Sequence, residues 1–205
     1  NEFRRRAEDT VQPYLWSNDE ALLYLNEANL DWVRGTGGIR DSQSDLCELV
    51  VDAGSTFVEL DKRILKIVSA RRTSDDRDID IVGPRSDYAR CKPTTGTVTM
   101  LVQGEDDTGV RPVNIPTESV TLRMVIDRLP LNTLTPSSDL EVRDEHAYKL
   151  VDGMLALAYT KQDAETRDDK KAQSFAERFV GGIKEAYLEK RRRMGSNRTV
   201  AYGGI

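Results

Sequence analysis

The chain has 205 residues, 32% of them charged, with a formal net charge of −5. That length allows one domain with a true core or two small ones, and an acidic chain is not held to nucleic acid by bulk attraction. No apolar run approaches the roughly 20 residues of a membrane span, no apolar stretch follows the basic residues of NEFRRRAEDT as a signal peptide requires, and two cysteines, Cys47 and Cys91, read as free thiols in a reducing compartment.

Phe3, Ala7 and Val11 recur every four residues with charge between them. This spacing predicts a first helix, ended or bent by Pro13. In WSNDEALLYLNEANLDWVRG, Ser17 is a natural N-cap and Glu20 follows three residues on. Together they form a capping box, in which each side chain satisfies an orphan amide of the first turn. Leu22, Leu25, Ala28 or Asn29, and Trp32 form one apolar stripe, and Gly35, Gly37 and Gly38 stop the helix.

From about residue 46 the period changes. LCELVVDAGSTFVEL predicts strand, turn and strand, with the turn at Asp52 to Ser55. ILKIVSARR, IDIVGP, GTVTMLVQG and VTLRMVIDRLP supply further strands. In the last, Val120, Leu122, Met124 and Ile126 alternate with Thr121, Arg123, Val125 and Asp127, which suits an antiparallel sheet covered on one face. The acidic stretches at 74–78 and 104–107 fall between strands, as hairpin tips or loops.

The helical period then returns. Ala147, Val151, Met154 and Ala158 share a face, with Leu150 and Leu157 beside it. Thr166 and Asp169 are candidate caps of a last long helix. Its stripe is Ala172, Phe175 or Ala176, Phe179, Ile183, and Ala186 or Tyr187. Lys190 to Arg193 place positive charge at its C-terminal end, where the helix dipole favours it. The final RTVAYGGI cannot continue that helix, because Gly203 and Gly204 are poor helix formers. Thr199, Val200 and Tyr202 favour extended backbone, and the stretch carries little charge. It reads as a disordered tail or as an arm with a partner.

The order of elements predicts an α+β protein: a helical bundle with an inserted antiparallel β domain and an extended C-terminal arm. The expected divisions are 1–45 for the first part of the bundle, 46–136 for the β domain, 137–194 for the second part of the bundle and 195–205 for the arm. The expected bundle core is Leu22, Leu25, Trp32, Val151, Met154, Phe175, Phe179 and Ile183.

Few residues offer chemistry. His146, the single histidine, opens a predicted helix beside Asp144 and Glu145 and is expected to be solvated or capping. One histidine and two distant cysteines build none of the usual structural zinc sets. RGTGGIR follows a helix and lacks the G-K-[ST] of a phosphate loop, so it reads as a helix stop. DDRDID lacks the glycine and terminal Glu of a calcium loop and reads as a solvated tip. The RRR runs at 4–6 and 191–193 are expected on solvated faces or in ion pairs between subunits. The aromatic stripes of Trp16, Tyr24 and Trp32, and of Phe175, Phe179 and Tyr187, read as core or in part as a subunit seam. No catalytic constellation emerges, which favours a structural or binding role. An enzyme working through Asp and Glu is the competing reading, and it requires a pocket with at least two strongly displaced carboxylates.

Three stretches together resemble a known family: LWSNDEALLYLNEAN at 15–29, RDEHAYKLVDGMLALAYTKQDAETRDDKKAQSF at 143–175, and the closing YGGI. They are similar to the head-to-tail adaptor, or connector, proteins of tailed bacteriophages, particularly short-tailed ones. The resemblance covers both ends of the chain and rests on organisation in the middle. It implies a structural virion protein with no enzymatic activity, cofactor or metal, assembled in the host cytoplasm. It further implies a homo-oligomeric ring, a dodecamer, below the portal protein at the head–tail junction. Such a ring extends the DNA channel and presents a platform to the tail tube or nozzle protein, while DNA passes without sequence-specific binding. An acidic or neutral lumen would limit sticking to phosphates.

In related adaptors the C-terminal segment leaves the bundle and docks on the portal. Carried onto this chain, the docking arm comprises Arg198, Thr199, Val200, Ala201, Tyr202, Gly203, Gly204 and Ile205. Tyr202 and Ile205 would be its anchors. The alternative within the same setting is another tail-completion or assembly-binding module without a portal-docking arm.

Overall fold

The computed structural model describes residues 2–87, 89, 94–163 and 165–194. The arm expected at 195–205 lies outside them, as does Cys91. The chain divides into two units: residues up to Thr36 together with those from Asn132 onward, and Gly37–Leu131.

The first unit is helical. It contains α1 (Glu2–Arg6), α2 (Asn18–Gly35), α3 (Asp144–Ala158) and α4 (Asp169–Arg193), and α3 packs along both α2 and α4. Gly153 makes this close approach feasible. A Cβ there would lie 2.9 Å from the Ala28 Cβ of α2 and 2.9 Å from the Phe179 ring of α4. Trp32 meets Phe179 at a centroid distance of 5.9 Å.

The first helix is shorter than the spacing predicts. It ends at Arg6, Glu8 takes a positive φ of 58°, and Val11 is 77% exposed. Asp9 organises the turn that follows: it accepts from Arg4 Nη1 at 2.7 Å and from the amides of Leu15 at 2.9 Å and Trp16 at 3.4 Å. Trp16 is thereby set into the helices. It is buried, donates from Nε1 to the Ala158 carbonyl at 3.2 Å, and meets Phe3 and Tyr159 edge-on. The last helix is capped by neither Thr166 nor Asp169. Asp168 has the extended N-cap backbone, and its side chain accepts from the Lys171 amide at 3.0 Å. Thr166 is buried in the preceding turn.

The second unit holds an eight-stranded sheet and a two-stranded one. Its strands are β1 (Ile39–Asp41), β2 (Glu48–Val51), β3 (Val58–Glu59), β4 (Ile64–Arg72), β5 (Asp78–Val82), β6 (Thr94–Thr95), β7 (Met100–Gln103), β8 (Gly109–Pro112), β9 (Asn114–Ile115) and β10 (Val120–Arg128). The large sheet runs β1-β10-β4-β5-β7-β8-β3, with β2 also on β10. Leu122 pairs with both Leu49 of β2 and Arg72 of β4, so β1 and β2 follow one edge of β10 like a single interrupted strand, and β4 takes the other edge. Cys47, Val51, Ile67, Leu101, Leu122 and Ile126 lie in the core of this unit.

Three strand expectations are corrected here. The sheet is mixed, because β5 pairs with β7, and β6 with β9, in parallel. The long connection between β5 and β7 permits that crossover, which a two-residue hairpin cannot. The segments flanking the turn at 52–55 do not form a hairpin: β2 pairs with β10 and β3 with β8. The sheet also begins earlier than residue 46, since β1 lies on β10. Asp127 and Arg128 are buried although polar, because each has an opposite charge on β1: Arg40 is bonded twice to Asp127, at 2.9 and 3.2 Å, and Arg128 donates to Asp41.

Candidate interaction surfaces

Ionisable groups in this chain are mostly engaged by near neighbours. The hairpin tip between β4 and β5 carries Asp75, Asp76 and Asp78. Arg72 donates to Asp75 at 2.7 and 2.8 Å, and Arg71 donates to Asp76 and Asp78. Between β7 and β8, Arg111 donates to Glu105 at 2.7 and 2.9 Å. The bond from Arg72 lowers the pKa of Asp75, and that from Arg111 lowers the pKa of Glu105. The acids of the first tip are therefore internally paired, and in the second Glu105 is paired while Asp106 accepts from the Thr108 amide at 2.7 Å.

Bonds from cations also hold three further carboxylates down. Lys161 and the Ser17 amide lower Glu20 to about 2. Arg63 lowers Asp61, on the rim of an open cleft of about 630 Å³, to about 2. Burial alone would raise Asp41, but bonds from Arg128 and the amides of Gln43 and Ser44 hold it well below the usual range. Acids fixed in their charged form cannot serve as proton donors near neutral pH.

His146 is neither solvated nor a cap. Its side chain is 20% exposed and its ring meets Trp32 at 5.4 Å. Glu145, His146 and Glu189 bring ligand atoms within 4.8 Å of one another. Arg193 already donates to both carboxylates, so a guanidinium supplies the cation there. The other arginine run is also used within the chain. Arg4 pairs with Asp9, Arg6 with buried Asp152, and Arg5 with Glu2. Arg4 and Arg6 pair with buried acids, while Arg5 stays 76% exposed.

The capping box is formed at the start of α2. Ser17 Oγ accepts from the Glu20 amide at 3.1 Å, and Glu20 Oε2 accepts from the Ser17 amide at 2.8 Å. Of the residues read as bundle core, Trp32, Val151, Met154 and Phe179 are buried, while Leu22, Leu25, Phe175 and Ile183 are half-buried. Leu150, Leu155 and Val33 are deeper than any of these. Where the last stripe allowed Ala186 or Tyr187, Ala186 faces inward and Tyr187 outward.

Two helix faces are exposed and carry opposite character. On α4 and its C-cap, Val180, Tyr187 and Met194 stand at seven-residue intervals, each at least 40% exposed. Lys184, Leu188 and Arg191 flank them, all exposed, and the Arg191 guanidinium lies 5.9 Å from the Tyr187 ring centre. On α2, Asp19, Leu23, Glu27 and Asp31 recur every four residues on the exposed side, and Leu23 is 55% exposed. The sequence places Tyr187 in a stripe that reads as core or in part as a subunit seam, and sequence reasoning missed the α2 face. The outward turn of Tyr187 is what reveals the first, and the acids at 19, 27 and 31 could have shown the second.

No helix among the described residues is long and apolar enough to cross a membrane. The family model for the SU10 adaptor protein matches residues 1–201. No curated protein matches the sequence.

Proposed function

The chain belongs to the SU10 adaptor protein family, a bacteriophage structural family, and from that premise we propose that it forms a ring joining the portal to the tail. The ring is twelvefold, sits at the head–tail junction of the virion, and extends the DNA channel towards the tail tube or nozzle. Residues 195–205 are its portal-docking arm, and it catalyses no reaction.

The observation that carries this reading is the family match, which runs through nearly the whole chain. Physical features support it. Glu20, Asp41 and Asp61 are ion-paired rather than poised for proton transfer. Apolar side chains instead stand exposed on helices, as association requires. The net charge of −5 lets DNA pass without bulk attraction. In the arm, Val200, Tyr202 and Ile205 suit pockets on a partner. Twelve such arms on one ring bind together far more tightly than one.

The test is removal of residues 196–205. The shortened chain should fold with an unchanged melting curve and fail to attach to portals. Normal attachment would overturn the arm assignment. Images of the virion neck lacking a ring of this protein would overturn the adaptor reading itself.

A further inference from the structure

We propose that the ring closes by docking the basic outer face of α4 on one subunit against the acidic outer face of α2 on the next. The inference rests on the ring reading above and names the seam that reading leaves unspecified. Its evidence is the charge and exposure of two faces of one unit.

The outward stripe of α4 contains two cations, Lys184 and Arg191, with one acid, Glu177, a turn before Val180. The outward stripe of α2 contains Asp19, Glu27 and Asp31, with one cation, Arg34, at its far end. The arginines of the α1 run, by contrast, pair within the chain, Arg4 with Asp9, Arg5 with Glu2 and Arg6 with Asp152. Lys184, Arg191, Glu27 and Asp31 make no ion pair among the described residues. Both faces also carry apolar side chains that remain in water on the isolated chain. Val180, Tyr187 and Leu188 stand on one, and Leu23 with half-buried Leu30 on the other. An apolar stripe flanked by charges of one sign fits a stripe flanked by the other sign, as in helix pairs whose edges carry complementary charge.

The faces are different surfaces of the same chain. When each subunit gives α4 to one neighbour and α2 to the other, the pairing is heterologous, and repeated heterologous contacts generate a ring when the rotation closes. A two-fold contact centred on α4 would bring Lys184 and Arg191 towards their own copies. Like charges oppose that arrangement.

The experiment uses full-length chains supplied to virions that lack the native protein. One variant is Lys184→Glu with Arg191→Glu; the other is Glu27→Lys with Asp31→Lys. All four side chains are exposed, so melting temperatures should match the unaltered chain. Each variant alone should enter particles at least tenfold less than the unaltered protein. Supplied together, they should enter in equal amounts. In an alternating ring, each reversed α4 meets a reversed α2, and each native α4 meets a native α2. Entry of either variant alone at the normal level would overturn the seam, as would failure of the mixture to recover. The unaltered chain entering particles without forming a ring would instead overturn the reading on which the seam rests.

Discussion

Replacing Gly153 with alanine sets two effects of known size against each other. Gly153 lies in the interior of α3, where alanine is favoured over glycine by about 1 kcal/mol. The new methyl, however, would stand 2.9 Å from the Ala28 Cβ and 2.9 and 3.0 Å from two carbons of the Phe179 ring. Carbon atoms rest at about 3.5–4.0 Å. The ring can tilt, but the Ala28 Cβ is fixed to its backbone, so α2 and α3 must separate. Overpacking of this kind costs about 1–3 kcal/mol. The clash outweighs the propensity gain, and G153A should lose about 1 kcal/mol of stability.

Gly181 in α4 is the internal control, because nothing lies within 4 Å of a Cβ placed there. G181A should gain up to about 1 kcal/mol from propensity alone. Urea unfolding read by tryptophan fluorescence suits the comparison, since Trp16 and Trp32 both lie in the helical unit. The midpoints should move in opposite directions with the denaturant slope unchanged. A G153A chain as stable as the unaltered one would refute the claim that Gly153 is required by helix contact.

Glu20 should make the helical unit sensitive to acid. Its folded pKa, about 2, lies below the ordinary 4.5, so its contribution is complete above 4.5 and disappears as pH falls towards 2. Melting temperatures of E20Q and the unaltered chain should differ at pH 6 and converge at low pH; a constant gap would contradict the assignment. In the sheet, a Cβ on Gly109 would lie 2.2 Å from the Val58 carbonyl oxygen, a backbone atom that cannot rotate aside. G109A should therefore release β3 from β8 and speed hydrogen exchange of the Leu60 amide, which bonds to the Thr108 carbonyl at 2.9 Å. Unaltered exchange there would show that the backbone accommodates the methyl.

Elements built from neighbouring residues were legible in the sequence. Ser17 and Glu20 are three residues apart, and the stripe along α2 repeats locally. Residues 64–72 and 120–128 were readable as strands for the same reason. What escaped was set by distant partners. β1 is only Ile-Arg-Asp, and its two charged residues tolerate their places because Asp127 and Arg128 wait on β10. The parallel pairing of β5 with β7 has no local signature. Arg6 gives no hint in sequence of Asp152, 146 positions away. The interaction faces were half visible: the seven-residue repeat on α4 can be counted, but only packing decides between Ala186 and Tyr187.

The placement of β10 bears on how this protein is made. Among the described residues β1 and β2 pair only with β10 in the sheet, and β10 is the last strand of its unit to leave the ribosome. Until Arg128 has emerged, both earlier strands lack the neighbour that completes them. A synthesis pause before Val120 leaves Leu49 and Val51, which are buried in the finished sheet, on an unpaired edge. The helical unit waits longer still, because α3 and α4 are encoded after the sheet, so neither unit can close while the ribosome is in its first half.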